Sequence, residues 1–389
     1  LPGRVFNTTS LSSGDTIFMS NFTIKNGFDN GSSTSIDGGG GYRIYNVDGF
    51  VDLSYIKFES CTTQVHGSAI RCNGSELHID NCYFIDNRTL MQGTIWTENQ
   101  DYGLGITNTV FKGNLARSGG ALRSYLIDGI LIENCVFDSD SANHPTSNAF
   151  GGALYLDYAA YSEINFNTFY NIYTKSDGAV CLTRDSDNSD LVGNIFYGNL
   201  PDDNGKDIYC YTSDIDLAYC NIDTSMIRLY SSTIDTVVDV QDTIHWFVDA
   251  DSSDFRLLST STMMDAVTDS TFGSLPETDI TGASRDSLPD IGAYEYPFGG
   301  YKVYVPRYEE DESIELPRDA EITAVIPNPF NSVVEIDYSV ASTGAIQVAV
   351  FSSDGRRVAT LVDKTQDTGA YRTGWNAKDQ RGQMVPTGV

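Results

Sequence analysis

The sequence predicts an all-β protein, a right-handed parallel β-helix followed by a small antiparallel β-sandwich. Three observations predict it. Phe58, Phe84, Phe111, Phe137, Phe169 and Phe196 each close a short apolar run, Ile222 takes the same place, and the intervals are 26, 27, 26, 32, 27 and 26 residues. A fixed period of this size marks a solenoid, whose repeats bury their apolar faces only against neighbouring repeats. The runs are too short for helices; they alternate apolar and polar with period two, and Gly, Asn, Asp and Ser break them. Past residue 318 the repeat is gone, and Val333–Tyr338 and Ala345–Val350 alternate cleanly as longer strands. Asp354-Gly355 supplies a hairpin turn before Val358–Val362.

Composition is compatible with a chain of more than one domain. There are 389 residues, 12% of them aromatic, and 53 acidic against 24 basic side chains give a net charge of −29. That charge argues against nucleic acid or anionic lipid as a partner. No apolar run approaches the ~20 residues of a membrane helix. The chain has neither an initiator Met nor a signal-peptide pattern, so it reads as a mature or trimmed product. Cys82, Cys135 and Cys220 share one place in the repeat and Cys72 and Cys210 another, each pair two or more coils apart. They read as small core residues, with Cys61–Cys72 and Cys210–Cys220 as the pairs close enough in sequence to bridge.

In order along the chain, residues 1–50 form an opening cap and first coil, with Phe22 as an early copy of the anchor and 27–41 as a loop. Coils run regularly over 51–222. A landmark of Gly, small residue and aliphatic follows most anchors, as in Gly93-Thr94-Ile95 and Gly178-Ala179-Val180. In the strand it opens, Ile70, Ile95, Leu122, Leu154, Val180 and Ile208 point inward, as do Cys72, Thr97, Ser124, Leu156, Leu182 and Cys210. Between them, Arg71, Trp96, Arg123, Tyr155, Cys181 and Tyr209 point out, followed by Asn73, Glu98, Tyr125, Asp157, Thr183 and Tyr211. Asn81, Asn108, Asn134, Asn167 and Asn194 suggest a stacked corner, since Asn tolerates left-handed backbone. The 32-residue interval holds six extra residues within Ser139–Ser147, with His144 and Pro145, as a projecting loop. From about 223 the period fails, and 223–296 reads as the closing segment. Residues 297–318, with the run Glu309–Glu312, read as an extended acidic linker.

Two resemblances follow from local motifs. Phe247-Val248-Asp249 through Asp254-Phe255-Arg256-Leu257, then Asp279-Ile280-Thr281-Gly282-Ala283-Ser284-Arg285 and Asp290-Ile291-Gly292-Ala293-Tyr294-Glu295, resemble the ending of bacterial surface β-helix proteins with polymorphic-outer-membrane-type repeats. That resemblance covers roughly 15–296 and implies the fold and an exterior location, not an activity. Pro327-Asn328-Pro329-Phe330-Asn331, Asp354–Val358, Trp375-Asn376 and Gly382 are similar to an Ig-like domain, over about 320–389. It is shared by the flagellar hook-capping protein and the C-terminal sorting domains of type IX secretion cargo. The resemblance implies export through that secretion machinery. Family members continue past the equivalent of Thr387-Gly388-Val389 into a last strand, so the final strand is expected to be missing here.

For function, no nucleophile elbow, zinc-protease helix, phosphate loop or paired CxxC motif occurs. The ligand-binding hypothesis is the outward stripe: Arg71, Trp96, Glu98, Arg123, Tyr125, Tyr155, Asp157 and Tyr209, where flat rings would stack on sugars and arginines add hydrogen bonds. The competing account has the rings stacking on each other or covered by a loop, and a flat sheet lacks the concavity binding sites use. No catalytic residue is assigned. An enzyme reading would pair Glu98 with Asp157, or Asp80 with Glu133, ~9.6 Å apart over two coils, at the upper edge of the ~6.5–9.5 Å used in inverting glycoside hydrolysis. Asp249-x-Asp251-x-x-Asp254 could offer calcium oxygens but lacks the Gly and distal Glu of a calcium loop, so a plain Asp/Ser turn is simpler and no cofactor is assigned. The reading is a secreted cell-surface module, adhesive or structural, with a polysaccharide-active enzyme and a self-associating assembly subunit as rivals.

Overall fold

The computed structural model describes residues 3–9, 12, 14–31, 37–45, 48–98, 103–143, 149–176, 178–201, 206–241, 247–268, 275–296, 320–326, 334–340, 343–351, 357–367 and 369–378. The chain forms two compact units, 1–305 and 306–389. The linker at 297–318, the motif Pro327–Asn331, the turn at Asp354-Gly355 and the residues after 378 lie outside the described residues.

Among the described residues, the first unit is a parallel β-helix whose three parallel sheets have 9, 14 and 7 strands. Its coil is made by backbone that turns left-handed at fixed places. Asn81, Asn108 and Asn134 have φ of 51°, 48° and 54°, and Asp86, Gly113 and Ser139 have 53°, 66° and 58°. These two corners bracket three-residue strands such as Tyr83–Ile85 and Val136–Asp138. A third left-handed position opens the strands of the nine-stranded sheet. At Gly151 (φ 63°) a Cβ would lie 2.2 Å from the Leu154 carbonyl oxygen, so only glycine fits.

Inside, register holds residue for residue. Ile70, Ile95, Leu122, Leu154, Val180 and Ile208 lie opposite one another in successive coils and are buried. The phenylalanine rings from Phe58 to Phe196 stack with centroids 4.8, 4.9, 5.0, 4.7 and 4.8 Å apart and planes within 9°. That spacing is the strand spacing, so each ring follows its own backbone. A stacked pair adds about 0.5–1.5 kcal/mol beyond the area it buries.

Polar ladders tie the corners together. The Asn114 side-chain oxygen accepts from the Asn87 backbone N–H at 3.0 Å, while its Nδ2 donates to the Phe84 carbonyl at 2.8 Å. Asn87 does the same one coil earlier, toward Cys61 N–H (2.9 Å) and the Phe58 carbonyl (3.0 Å). Asn87 is fully buried. On the other side of the strand, Asn167 and Asn194 form a second ladder, with Asn194 Oδ1 accepting from Asn167 N–H at 3.0 Å. The register change of one that Asn167 and Asn194 show in the sequence therefore separates two columns, where a single stacked ladder was expected. Asn81, Asn108 and Asn134 make the left-handed turn, whereas Asn167 and Asn194 sit one residue further on and point inward.

Three more expectations need correcting. Phe22 lies opposite Ile56, and Ile24 opposite Phe58, so Ile24 holds the anchor position in the first coil. The six extra residues fall between Ala142, opposite Ala116, and Phe150, whose N–H donates to Ser118 Oγ. Residues 144–148, with His144 and Pro145, lie outside the described residues. The solenoid does not stop at 222: Ile227–Tyr230 and Ile234–Val238 add another coil. Its Tyr230 lies opposite Tyr211 at a spacing of 19 residues, because a short 3-10 turn at Thr224–Met226 replaces a strand of the third sheet. None of the seven cysteines forms a disulfide, and all are buried.

Residues 247–268 and 275–296 fold back along the side of the coils. Phe247, Phe255, Leu257, Met263, Ile291 and Ala293 pack on Val136, Phe166, Val192 and Ile195, on the outer face of the 14-stranded sheet. Buried Arg285 locks this strap. It donates to Glu295 Oε2 (3.0 Å), the Gly292 carbonyl (2.8 Å) and Asn134 Oδ1 (2.9 Å), with its guanidinium carbon 4.6 Å from the Phe166 ring centre. Asp279 caps its own turn, accepting from Thr281 N–H (2.8 Å) and Ala283 N–H (3.0 Å). The residues that carried the first resemblance thus have a fastening role. Among the described residues no helix is long and apolar enough to cross a membrane.

The second unit has a three-stranded antiparallel sheet, Ala320–Ile326, Val334–Val340 and Gly369–Trp375, and a hairpin, Gly344–Phe351 with Arg357–Gln366. Tyr338 and Val340 from the sheet meet Ile346, Val348 and Val362 from the hairpin in one buried cluster, so the two layers face each other.

Candidate functional site

The site lies on the outer face of the nine-stranded sheet, where period-two alternation places two adjacent columns. One reads Arg43, Arg71, Trp96, Arg123, Tyr155, Cys181, Tyr209 and Arg228 through successive coils. The other reads Tyr45, Asn73, Glu98, Tyr125, Asp157, Thr183, Tyr211 and Tyr230. The order matches the sequence-based expectation throughout. The exposure does not.

The early half of the stripe is filled by its own members. Arg71 is 0%, Arg123 4% and Trp96 7% exposed, so these three do not present a surface. The His66 ring stacks on Trp96 at 4.4 Å, and Arg123 lies between Trp96 and Tyr155, 5.4 and 4.0 Å from their ring centres. Desolvation, with Arg71, Arg123 and Arg117 nearby, pushes His66 down to about 4. It is therefore neutral at physiological pH. Arg71 donates to Glu98 Oε1 at 2.6 Å and also to the Asp37 carbonyl oxygen.

Asp157 is fully buried despite pointing outward. Its carboxylate accepts from Arg123 Nη2 (2.6 Å), Thr183 Oγ1 (2.8 Å), Arg184 Nε (2.7 Å) and Arg184 Nη2. A buried charge persists when paired and hydrogen-bonded in this way. Glu98 and Asp157 do lie two coils apart, but both are held by guanidinium groups. The second pair behaves differently. Asp80 accepts from Thr107, Asn108 and Asn81 side chains at 2.7, 2.8 and 2.7 Å. Glu133 is pushed up to about 7, by desolvation first, with Arg285 opposing and Glu163 adding to it.

The later half of the stripe is open. There the first column runs large, small, large, as Tyr155, Cys181 and Tyr209, and the second sets small Thr183 before Tyr211. The small middle residues leave a hollow about two strand spacings wide. Phe150, delivered by the six-residue insertion, stands beside it with its ring centre 5.9 Å from Tyr155 and 6.3 Å from Tyr209. The result is a pocket of about 250 Å³ lined by Phe150, Tyr155, Thr183, Arg184, Tyr209 and Tyr211. Concavity, which a flat sheet lacks, arises from side-chain size.

Of the eight residues expected to bind, Tyr155 and Tyr209 line this pocket. Tyr125 and Glu98 are half-buried beside the filled half, and Arg71, Trp96, Arg123 and Asp157 are buried. Phe150, Thr183, Arg184 and Tyr211 were not among them. The small Cys181 between Tyr155 and Tyr209, with small Thr183 beside it and Tyr211 one coil on, was the available signal for Thr183 and Tyr211. Nothing local marked Phe150 or Arg184.

The acidic stretch at 249–254 disperses its carboxylates. Asp249 accepts from Ser252, Asp251 from the Tyr170 hydroxyl, and Asp254 pairs with Arg256. Among the described residues, no cluster of three His, Cys, Asp or Glu side chains could hold a metal ion. Comparison with known proteins finds no matching family, no matching curated protein and no matching solved structure.

Proposed function

We propose that this chain is a secreted cell-surface protein whose β-helix displays a glycan-binding pocket between Tyr155 and Tyr211, with its C-terminal unit serving export. The observation that carries the reading is the pocket itself, in which three tyrosines and a phenylalanine surround a small-residue floor with one arginine at hand. Aromatic faces stack on the apolar faces of sugar rings, and tyrosine hydroxyls can bond sugar hydroxyls. Rigid stacked coils hold such rings with little ordering cost on binding. What supports binding over hydrolysis is that Glu98 and Asp157 are both engaged by arginines, which leaves that pair without an uncommitted carboxylate.

The test is a glycan array with wild type and the double variant Tyr209→Ala/Tyr211→Ala, each checked for an unchanged melting temperature. Wild type is expected to bind a subset of glycans that the variant loses. Silence from the wild type removes the glycan reading, and equal binding by both proteins removes the pocket. Export is tested by deleting 306–389 and following where the protein accumulates. An unchanged extracellular yield would refute the sorting role.

A further inference from the structure

We infer that the pocket takes an acidic sugar, with the carboxylate of a uronic acid or a sulfate ester docking on Arg184; this rests on the glycan reading above. The chain carries 53 acidic and 24 basic residues, yet the two outward columns of the nine-stranded sheet reverse that balance. They hold four arginines, Arg43, Arg71, Arg123 and Arg228, against two carboxylates, Glu98 and Asp157. Both carboxylates are already bound, Glu98 by Arg71 and Asp157 by Arg123 together with Arg184. Within these two columns, arginines exceed carboxylates by two.

Arg184 is the residue through which that surplus reaches a ligand. It engages Asp157 through Nε and Nη2, which leaves Nη1 without a hydrogen bond, and its side chain is 44% exposed. It lines the same pocket as Tyr209 and Tyr211. A guanidinium fixed by a buried carboxylate is pre-oriented, and its planar N–H edge matches carboxylate and sulfate oxygens. On the next coil, the Arg228 guanidinium lies 5.8 Å from the Tyr209 ring centre, so a second cation flanks the same wall. The net charge of −29 does not cancel this. At physiological salt its influence fades over about 8 Å, so nearby arginines govern a ligand seated in the pocket. The same acidity repels a polyanion from the rest of the surface and confines it to this face.

The experiment uses the full chain and two matched ligand pairs in titration calorimetry. One pair is tetragalacturonate and its methyl ester; the other is a kappa-carrageenan tetrasaccharide, whose only charges are sulfate esters, and its desulfated form. The charged member of one pair is expected to bind about tenfold more tightly, the scale of one hydrogen bond between charged groups, and the pair that responds separates carboxylate from sulfate. Arg184→Gln should bring that ratio near one by weakening the charged member more than the uncharged one. Arg184→Lys should restore part of it. Tyr211→Ala, which alters no charge, should weaken both members alike and keep the ratio, and it serves if an Arg184 variant fails to fold. Equal binding of charged and uncharged members overturns the charge assignment and leaves the glycan reading standing. No binding to any of the four ligands overturns both.

Discussion

Arg184 grips the fully buried carboxylate of Asp157 with two of its three guanidinium nitrogens, and Arg123 reaches the same carboxylate from the other side at 2.6 Å. One anion thus holds two cations from the coils on either side of its own, and the pocket wall depends on it.

Asp157→Asn should therefore be costly. It leaves Arg123, itself 4% exposed, without its counter-charge. Removing one member of a buried pair costs about 3–5 kcal/mol. Urea unfolding should show a loss of that size, and a change below about 1 kcal/mol would mean that the pair is not held as described.

Asp140 offers the opposite case. It continues the Asn87–Asn114 ladder, with Oδ1 accepting from Asn114 N–H and Nδ2 at 2.8 Å each, while its buried Oδ2 has no partner. Burial pushes its carboxyl well above the usual range, with the ladder bonds opposing. A raised folded-state value favours the folded protein below the unfolded value and loses that support as pH rises. In Asp140→Asn the new amide would donate to the Phe111 carbonyl, as Asn87 does to Phe58 and Asn114 to Phe84. The variant should be more stable than wild type by about 1–3 kcal/mol at pH 7, with the gain shrinking toward pH 3. A loss at pH 7 would refute this.

The strap should loosen as pH rises. Desolvation, then Glu295, raises Asp290 to about 7, and desolvation raises Glu295 and Glu133, with Arg285 opposing in each case. Asp279 and Asp286 complete the carboxylates around that arginine. All three shifts are upward, so the support they give is full near pH 4 and is lost through about pH 7. Hydrogen exchange, corrected for intrinsic rate, should show amides of 285–296 better protected at pH 6 than at pH 8. Equal protection would sink the idea.

The thiols should be silent in the folded protein. Burial raises Cys61 to about 11 and Cys82, Cys210 and Cys220 to about 12, and raises Cys135 further. A disulfide reagent such as Ellman's is expected to react with none of the seven cysteines within minutes under native conditions, and with all seven in guanidinium. Rapid native reaction of even one would contradict the packing.

The coil phase was legible because ring and aliphatic columns repeat with the backbone. Alternation then put every residue of the nine-stranded sheet on its correct side. Pointing outward, however, is a property of one strand, and being exposed depends on what else arrives. Arg71 and Trp96 look like a surface in sequence, yet His66 and Asp37, 5 and 34 residues upstream of Arg71, close over them. The period breaks at 222 because one coil drops a strand and shortens to 19 residues. A fixed-length search is blind to that. Ile24 replaced phenylalanine in the first coil because an end coil has a ring neighbour on one side only.

The six-residue insertion has a wider implication. It leaves Ala142 and Phe150 in ladder contact with the coil before them, so lengthening the chain there shifts no core side chain. If the pocket binds as proposed, recognition and architecture are separable in this molecule. Exchanging that single winding for another would then transplant a new specificity onto unaltered coils, and a relative lacking it would keep the stack and lose the grip.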